Sequence, residues 1–172
     1  MSAIIREPQL EDARALARVH VAAWQLAYEG MMPADFLSSL TIDSVEERWR
    51  GWLASADIRA HVLELQGRVV GFCSFSASRD ASAAPEVGEI QGINLHPDFW
   101  RQGLGSKLLE SSLQALRAEG FAVATLWVLD QNAAARCFYE ARGWHADGGS
   151  KLESRAGGLP LQEVRYRIEL SP

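Results

Sequence analysis

The sequence predicts a mixed α/β fold, and three observations carry that prediction. Two apolar-rich runs, Ile58 to Leu65 and Arg68 to Ala77, flank Gln66-Gly67 and read as a β-hairpin. Further along, two strand-like runs are each followed by a helical pattern, as in strand–helix units. Finally, 172 residues with 48% hydrophobic and 23% charged side chains have the balance of a globular chain able to bury a core. That length is one domain's worth, so residues 1–172 are expected to form a single domain.

The elements follow in order. A brief strand spans Ala3 to Arg6. The first helix runs from about Glu11 to Tyr28, with Leu16, Val19, Ala23 and Leu26 inward and Arg14, Arg18 and Gln25 outward, and Gly30 and Pro33 break it. A second helical region covers Ala34 to Leu40 and then Ser44 to Ala54, where Asp43 or Ser44 suits the cap and Glu46-Glu47 the first turn. The hairpin comes next, then a fourth strand, Glu86 to Leu95. In the helix that follows, Leu108, Leu109, Leu113 and Leu116 share one side, with Lys107, Glu110, Gln114 and Arg117 on the other. Phe121 to Leu129 is an almost continuous apolar run, as expected of a buried strand. Asn132 to Arg142 reads as a helix that Gly143 ends, and Leu161 to Leu170 as the last strand. The order is β-α-α-β-β-β-α-β-α-β-β, about seven strands and four helices.

Composition excludes several function classes. A net charge of -5 is unsuited to nucleic acid as the main partner, because phosphate backbones need a basic footprint. No apolar run approaches the ~20 residues of a membrane span, and the first residues lack a signal-peptide layout. A cytoplasmic protein is therefore expected. Cys73 and Cys137 have no ligand spacing and read as small buried hydrophobes. His20, His61, His96 and His145 are scattered, so no metal site is expected.

The most informative stretch joins the fourth strand to its helix: Trp100-Arg101-Gln102-Gly103-Leu104-Gly105-Ser106. A glycine turn that opens a helix points several backbone N–H groups outward at the positive end of the helix dipole, a seat for phosphate. It is not a P-loop, because Trp100 stands where the first glycine belongs and the local order is Gly105-Ser106-Lys107. Nor is it a dinucleotide fingerprint, whose third glycine position holds Leu108.

What remains, a Q-G-x-G-[ST] turn after a strand, resembles the pyrophosphate loop of the GNAT superfamily of acyl-CoA-dependent N-acyltransferases. The stretch Asn132 to Trp144 is similar to that family's N-x-x-A-x-x-x-Y-x-x-x-G-[FW] helix, and Trp24-Gln25-x-x-Tyr28-x-Gly30-x-x-Pro33 resembles a lead-in common in bacterial members. The element order is the family's too, and the likeness spans nearly the whole chain. It departs at Trp100, where the family often has Arg or Gln.

The resemblance implies a GNAT fold: a mixed central sheet of about seven strands, splayed between strands 4 and 5 and flanked by about four helices. It implies acetyl-CoA as acetyl donor, with pantetheine along the strand end near Leu95. The amides of Gln102, Gly103, Leu104, Gly105 and Ser106 are then expected to cradle the pyrophosphate, with Arg101 in reach of a phosphate. Asn132 and Tyr139, seven residues and about 700° of helical rotation apart, share a face. By the resemblance Tyr139 is the general acid for the departing sulfur and Asn132 a cofactor contact and helix cap. Glu89, six residues before Leu95, is the general-base candidate. Trp24 and Tyr28, with His20 at the same helical spacing, and Trp127 on the fifth strand are candidates for acceptor contact.

The expected reaction is acetyl transfer to a primary amine of a small cationic molecule, by direct attack and without a covalent enzyme intermediate. The acidic balance of the chain favours such an acceptor. Protein N-terminal or lysine acetylation, or a catalytically silent acyl-CoA-binding module, are the alternatives. A homodimer is expected only by analogy with the fold.

Overall fold

Gln66 and Gly67 both take left-handed backbone, with φ of 51° and 74°, as a two-residue hairpin turn demands. They join β2 (Arg59–Leu65) to β3 (Arg68–Ala77). The structure, a computed structural model, describes residues 3–55, 59–154 and 159–170, so Ile58 lies outside the described residues. The remaining strands are β1 (Ala3–Arg6), β4 (Val87–Leu95), β5 (Val123–Leu129), β6 (His145–Glu153) and β7 (Leu161–Glu169). They form one seven-stranded sheet in the order β1-β2-β3-β4-β5-β7-β6. Neighbours are antiparallel except β4 and β5, which are parallel.

Among the described residues five α-helices accompany the sheet: α1 (Ala13–Ala27), α2 (Ala34–Ser39), α3 (Ile42–Ala54), α4 (Leu104–Ala118) and α5 (Ala133–Glu140). Leu40 is extended, which separates α2 from α3. Thr41, rather than Asp43 or Ser44, caps α3, its hydroxyl accepting the Ser44 N–H at 3.2 Å. The first helix begins with a 3-10 turn over Leu10–Asp12.

The long helices bury their apolar stripes in two clusters, one on each face of the sheet. Leu16 and Val19 of α1 and Val45 and Trp49 of α3 pack with Val62, Phe72, Leu129 and Leu161 on one face. Leu108, Leu109, Leu113 and Leu116 of α4 pack with Ile90, Leu126 and Tyr166 on the other. Burying one such side chain contributes about 1.5–3 kcal/mol. Leu26, expected to face inward, is half exposed.

The gap in the sheet has a local cause. Parallel pairing of β4 with β5 covers only Val87↔Val123 to Glu89↔Thr125. Just beyond it, Ser74 pairs with Gly92 and Phe75 with Ile90, leaving Gln91 as the extra residue of a β-bulge. A bulge bends its strand, and here it turns the rest of β4 away from β5. The Gln91 amide anchors the bend by donating to the Ser76 hydroxyl at 2.7 Å. The splay lies where the resemblance placed it, between the fourth and fifth strands.

Candidate active site

The splay opens a cavity of about 670 Å3, within the ~300–1,000 Å3 usual for small-molecule sites. Ile93, Asn94 and Leu95 of β4 form one wall and Trp127, Val128 and Leu129 of β5 the other. The glycine turn and α5 border one end, and Trp24, Tyr28, Met31 and Met32 of α1 and its following loop border another part.

The turn is tightly wound. Arg101 and Gly103 both have left-handed backbone, with φ of 60° and 75°. A non-glycine residue at positive φ is uncommon and collects at functional loops. Gly103 is the N-cap of α4, so the N–H groups of Leu104, Gly105 and Ser106 belong to its first turn and have no partner within the helix. Gly103, Gly105, Ser106 and Arg101 border the cavity. Gln102 does not; its side chain donates to the Asp98 carbonyl at 3.1 Å. Leu104 does not either, and its side chain is buried in the core under α4. Trp100 reaches back to donate its indole N–H to the Leu95 carbonyl at 2.8 Å, closing the turn against the strand end.

Tyr139 stands on α5, 8% exposed, with its ring against Phe138, Trp144 and Tyr166 and its edge on the cavity. Its helix ends in a Schellman motif: Gly143 N–H donates to the Glu140 carbonyl and Trp144 N–H to the Tyr139 carbonyl, with Gly143 at φ 84°. The helix therefore stops at Glu140, short of the predicted Arg142, and Trp144 folds back to hold Tyr139. Burial pushes the Tyr139 hydroxyl pKa upward, so it stays protonated. Asn132 caps α5, its side-chain oxygen accepting the Ala135 N–H at 3.1 Å, and also borders the cavity.

Glu89 is elsewhere. It sits in the paired part of β4, 2% exposed, and does not border the cavity. Arg79 occupies its carboxylate, donating from Nη2 at 2.6 Å, the backbone N–H at 2.9 Å and Nε at 3.3 Å. His20 also lies off the cavity; burial among Trp24, Trp49 and Phe72 lowers its pKa to about 4. Cys73 is buried with its thiol pushed up to about 12, whereas Cys137, expected inside, is exposed.

Two charged residues at the cavity escaped the sequence reading. Arg142 stacks its guanidinium on Phe138, 3.8 Å from the ring centre, and donates from Nε to the Ser106 hydroxyl at 2.9 Å. The i,i+4 spacing of Phe138 and Arg142 was the available signal. Glu163, 5% exposed, is the one carboxylate among the described cavity residues. Its signal was parity: Leu161 and Glu163 point to the same face of β7, so one shares its neighbour's buried side.

Among the described residues no helix is long and apolar enough to cross a membrane, and no group of three or more His, Cys, Asp or Glu is placed to hold a metal ion.

Comparison with known proteins agrees with this geometry. The family model described as the acetyltransferase (GNAT) family matches residues 23–144. An uncharacterized N-acetyltransferase of Bacillus subtilis, YuaI, is 34% identical over 160 residues, 93% of this chain and 89% of the relative. The PaiA N-acetyltransferase of Thermoplasma acidophilum, solved in complex with coenzyme A, superposes with a TM-score of 0.76 at 20% identity, over 98% of this chain and 99% of that one. YncA of Salmonella typhimurium, solved with acetyl-CoA, gives 0.73 at 20% identity, over 100% of this chain and 96% of that one. The structural likenesses share the fold, and the sequence matches extend through the glycine turn and α5. The chain belongs to the acetyltransferase (GNAT) family and is an acetyl-CoA-dependent acetyltransferase.

Proposed function

We propose that this enzyme transfers the acetyl group of acetyl-CoA to a primary amine of a small cationic molecule by direct attack. The observation that carries the reading is one cavity bordered by Ser106 of the glycine turn, by Tyr139 and by the aromatic end of α1. In this reading the free N–H groups at the start of α4 hold the pyrophosphate, Arg101 and Arg142 add positive charge, and pantetheine runs along the unpaired edge of β4 near Leu95. The acceptor nitrogen attacks the thioester carbonyl carbon and forms the amide bond as the carbon–sulfur bond breaks. Tyr139 gives its proton to the departing sulfur and is reprotonated from solvent, while the attacking amine gives up its proton to water. Holding the reactants together contributes about 7–11 kcal/mol in favourable cases.

Tyr28, Met31 and Met32 border the cavity where a peptide acceptor needs an open groove, which supports a small acceptor over a protein one. The test is a panel of amines with acetyl-CoA, reading the free thiol released. Acceleration by small cationic amines supports the reading; acceleration by peptide N-termini alone, or by no acceptor, counts against it.

Two predictions arise here. Arg142→Ala is expected to weaken CoA binding about tenfold, because charge-assisted contacts to phosphate are among the stronger hydrogen bonds. Binding of pantetheine, which lacks the phosphates, should not change, and calorimetry with both ligands checks this. Glu89→Gln is expected to lower stability by about 1 kcal/mol, since it weakens the charge-assisted hydrogen bonds that the half-exposed Arg79 makes to the buried carboxylate. With Arg79 already on its carboxylate, the shape of the pH–rate profile should stay that of wild type. A deficit confined to neutral pH that closes as pH rises would instead identify Glu89 as the base.

A further inference from the structure

Register assigns Glu163 to a definite side of the sheet. It pairs directly opposite Leu129, and directly opposed residues share a face. Leu129 and Leu161 pack in the cluster beneath α1 and α3, whereas Tyr166 packs with α4. The carboxylate of Glu163 therefore belongs to the α1 side of the sheet, the side opposite the helix that carries the glycine turn. Trp127, paired with Arg165, shares that face and borders the same cavity.

One ammonium group already sits there. Lys151 of β6 pairs opposite Glu163, and its Nζ lies 4.4 Å from the centre of the Trp127 ring and 3.6 Å from Glu163 Oε2. A π face and a carboxylate around one point are the two elements that recognise an alkylammonium. The ring is fixed for this purpose: its indole N–H donates to Asp80 Oδ1 at 3.0 Å, and Asp80 is itself held by Arg165 at 3.1 Å. A displaced Lys151 has a second partner at hand, because its side chain is partly exposed and Glu153 Oε2 stands 3.3 Å away.

We propose that Trp127 and Glu163 form the subsite for the ammonium group of the acceptor, and that Lys151 fills this subsite until the acceptor displaces it. The inference rests on the amine-acetyltransferase reading above and names the chemistry of its acceptor: an alkylamine carrying a positive charge. An internal occupant reduces apparent affinity, since only the fraction of enzyme with Lys151 withdrawn is competent to bind. Lys151 then sets the acceptor concentration at which the enzyme works.

The test compares wild type, Glu163→Gln and Lys151→Met with an amine that the wild type acetylates, together with CoA affinity by calorimetry. Glu163→Gln should raise the acceptor KM at least about tenfold and leave CoA affinity unchanged. Lys151→Met should lower the acceptor KM by about three- to tenfold, the opposite direction from loss of a structural ion pair. An unchanged KM in Glu163→Gln, or a raised KM in Lys151→Met, overturns the proposal. A second measurement needs no turnover. The ε-methylene protons of Lys151 should resonate upfield from the Trp127 ring current and move downfield as butylammonium, but not butanol, is added. Lys151 signals that ignore butylammonium also overturn it. If the wild type acetylates no amine, the parent reading fails, and the resonance experiment still decides the subsite.

Discussion

Tyr139→Phe is expected to lower kcat by about 10²–10⁴-fold, the usual worth of general acid catalysis, while the KM for acetyl-CoA changes little. The substitution keeps the ring, and so keeps the packing against Phe138, Trp144 and Tyr166. Only the proton donor is lost. Because burial raises the pKa of this hydroxyl, the donor stays protonated across the assay range. The wild-type profile should therefore show no fall attributable to Tyr139 ionisation below about pH 10. Steady-state kinetics of both proteins on the same acceptor checks the effect. A fully active Tyr139→Phe would make the residue a packing group and leave sulfur protonation to water.

The second large effect is expected at Gly105. A Cβ there would meet Leu95 Cδ1 at 3.3 Å, tighter than most Cβ contacts, and the Phe138 ring in ordinary contact at 3.5 Å. Gly105→Val would push its methyl groups against Leu95 and Phe138, into the part of the cavity that the turn borders. CoA affinity by calorimetry should fall at least tenfold, about 1.4 kcal/mol, with the circular dichroism spectrum unchanged. Gly103 gives the complementary case. A Cβ at Gly103 meets nothing within 4 Å, but φ is 75°. Gly103→Ala thus strains the turn by about 1–2 kcal/mol without filling space. A larger loss at Gly105 than at Gly103 locates the effect in steric approach; equal losses locate it in turn conformation. Unchanged affinity in both would remove the turn from the binding site.

What could be read from the sequence followed the range of the forces involved. Local patterns were faithful: the Gln66-Gly67 turn, the leucine stripe of α4, the Asn132 cap and the Gly143 stop are each set by neighbours within a few residues. Long-range pairing was not. The carboxylate of Glu89 looked suited to a base because it stands on an inner strand between apolar residues. Its partner, Arg79, stands ten positions earlier in the chain, and only the fold brings the two together. Glu163 was overlooked for the converse reason. Nothing beside it in sequence marks it, and its place at the cavity comes from pairing with Leu129 on a strand more than thirty residues away. Periodicity assigns Leu26 inward, but the splay leaves an open cavity beside it and the side chain stays half exposed. The splay was expected from the resemblance, but its cause, the bulge at Gln91, became visible only in the register of β3 and β4.

CoA is expected to sit in the splay with its pyrophosphate on the start of α4. A titration of CoA followed by amide chemical shifts tests it most directly. The largest shifts should fall on Gly103, Leu104, Gly105 and Ser106, with a second set along Ile93 to Leu95 on the open edge of β4. The Arg142 Nε signal should move with them as that side chain exchanges the Ser106 hydroxyl for phosphate. Saturable binding whose shifts leave the turn untouched and cluster elsewhere would contradict the account.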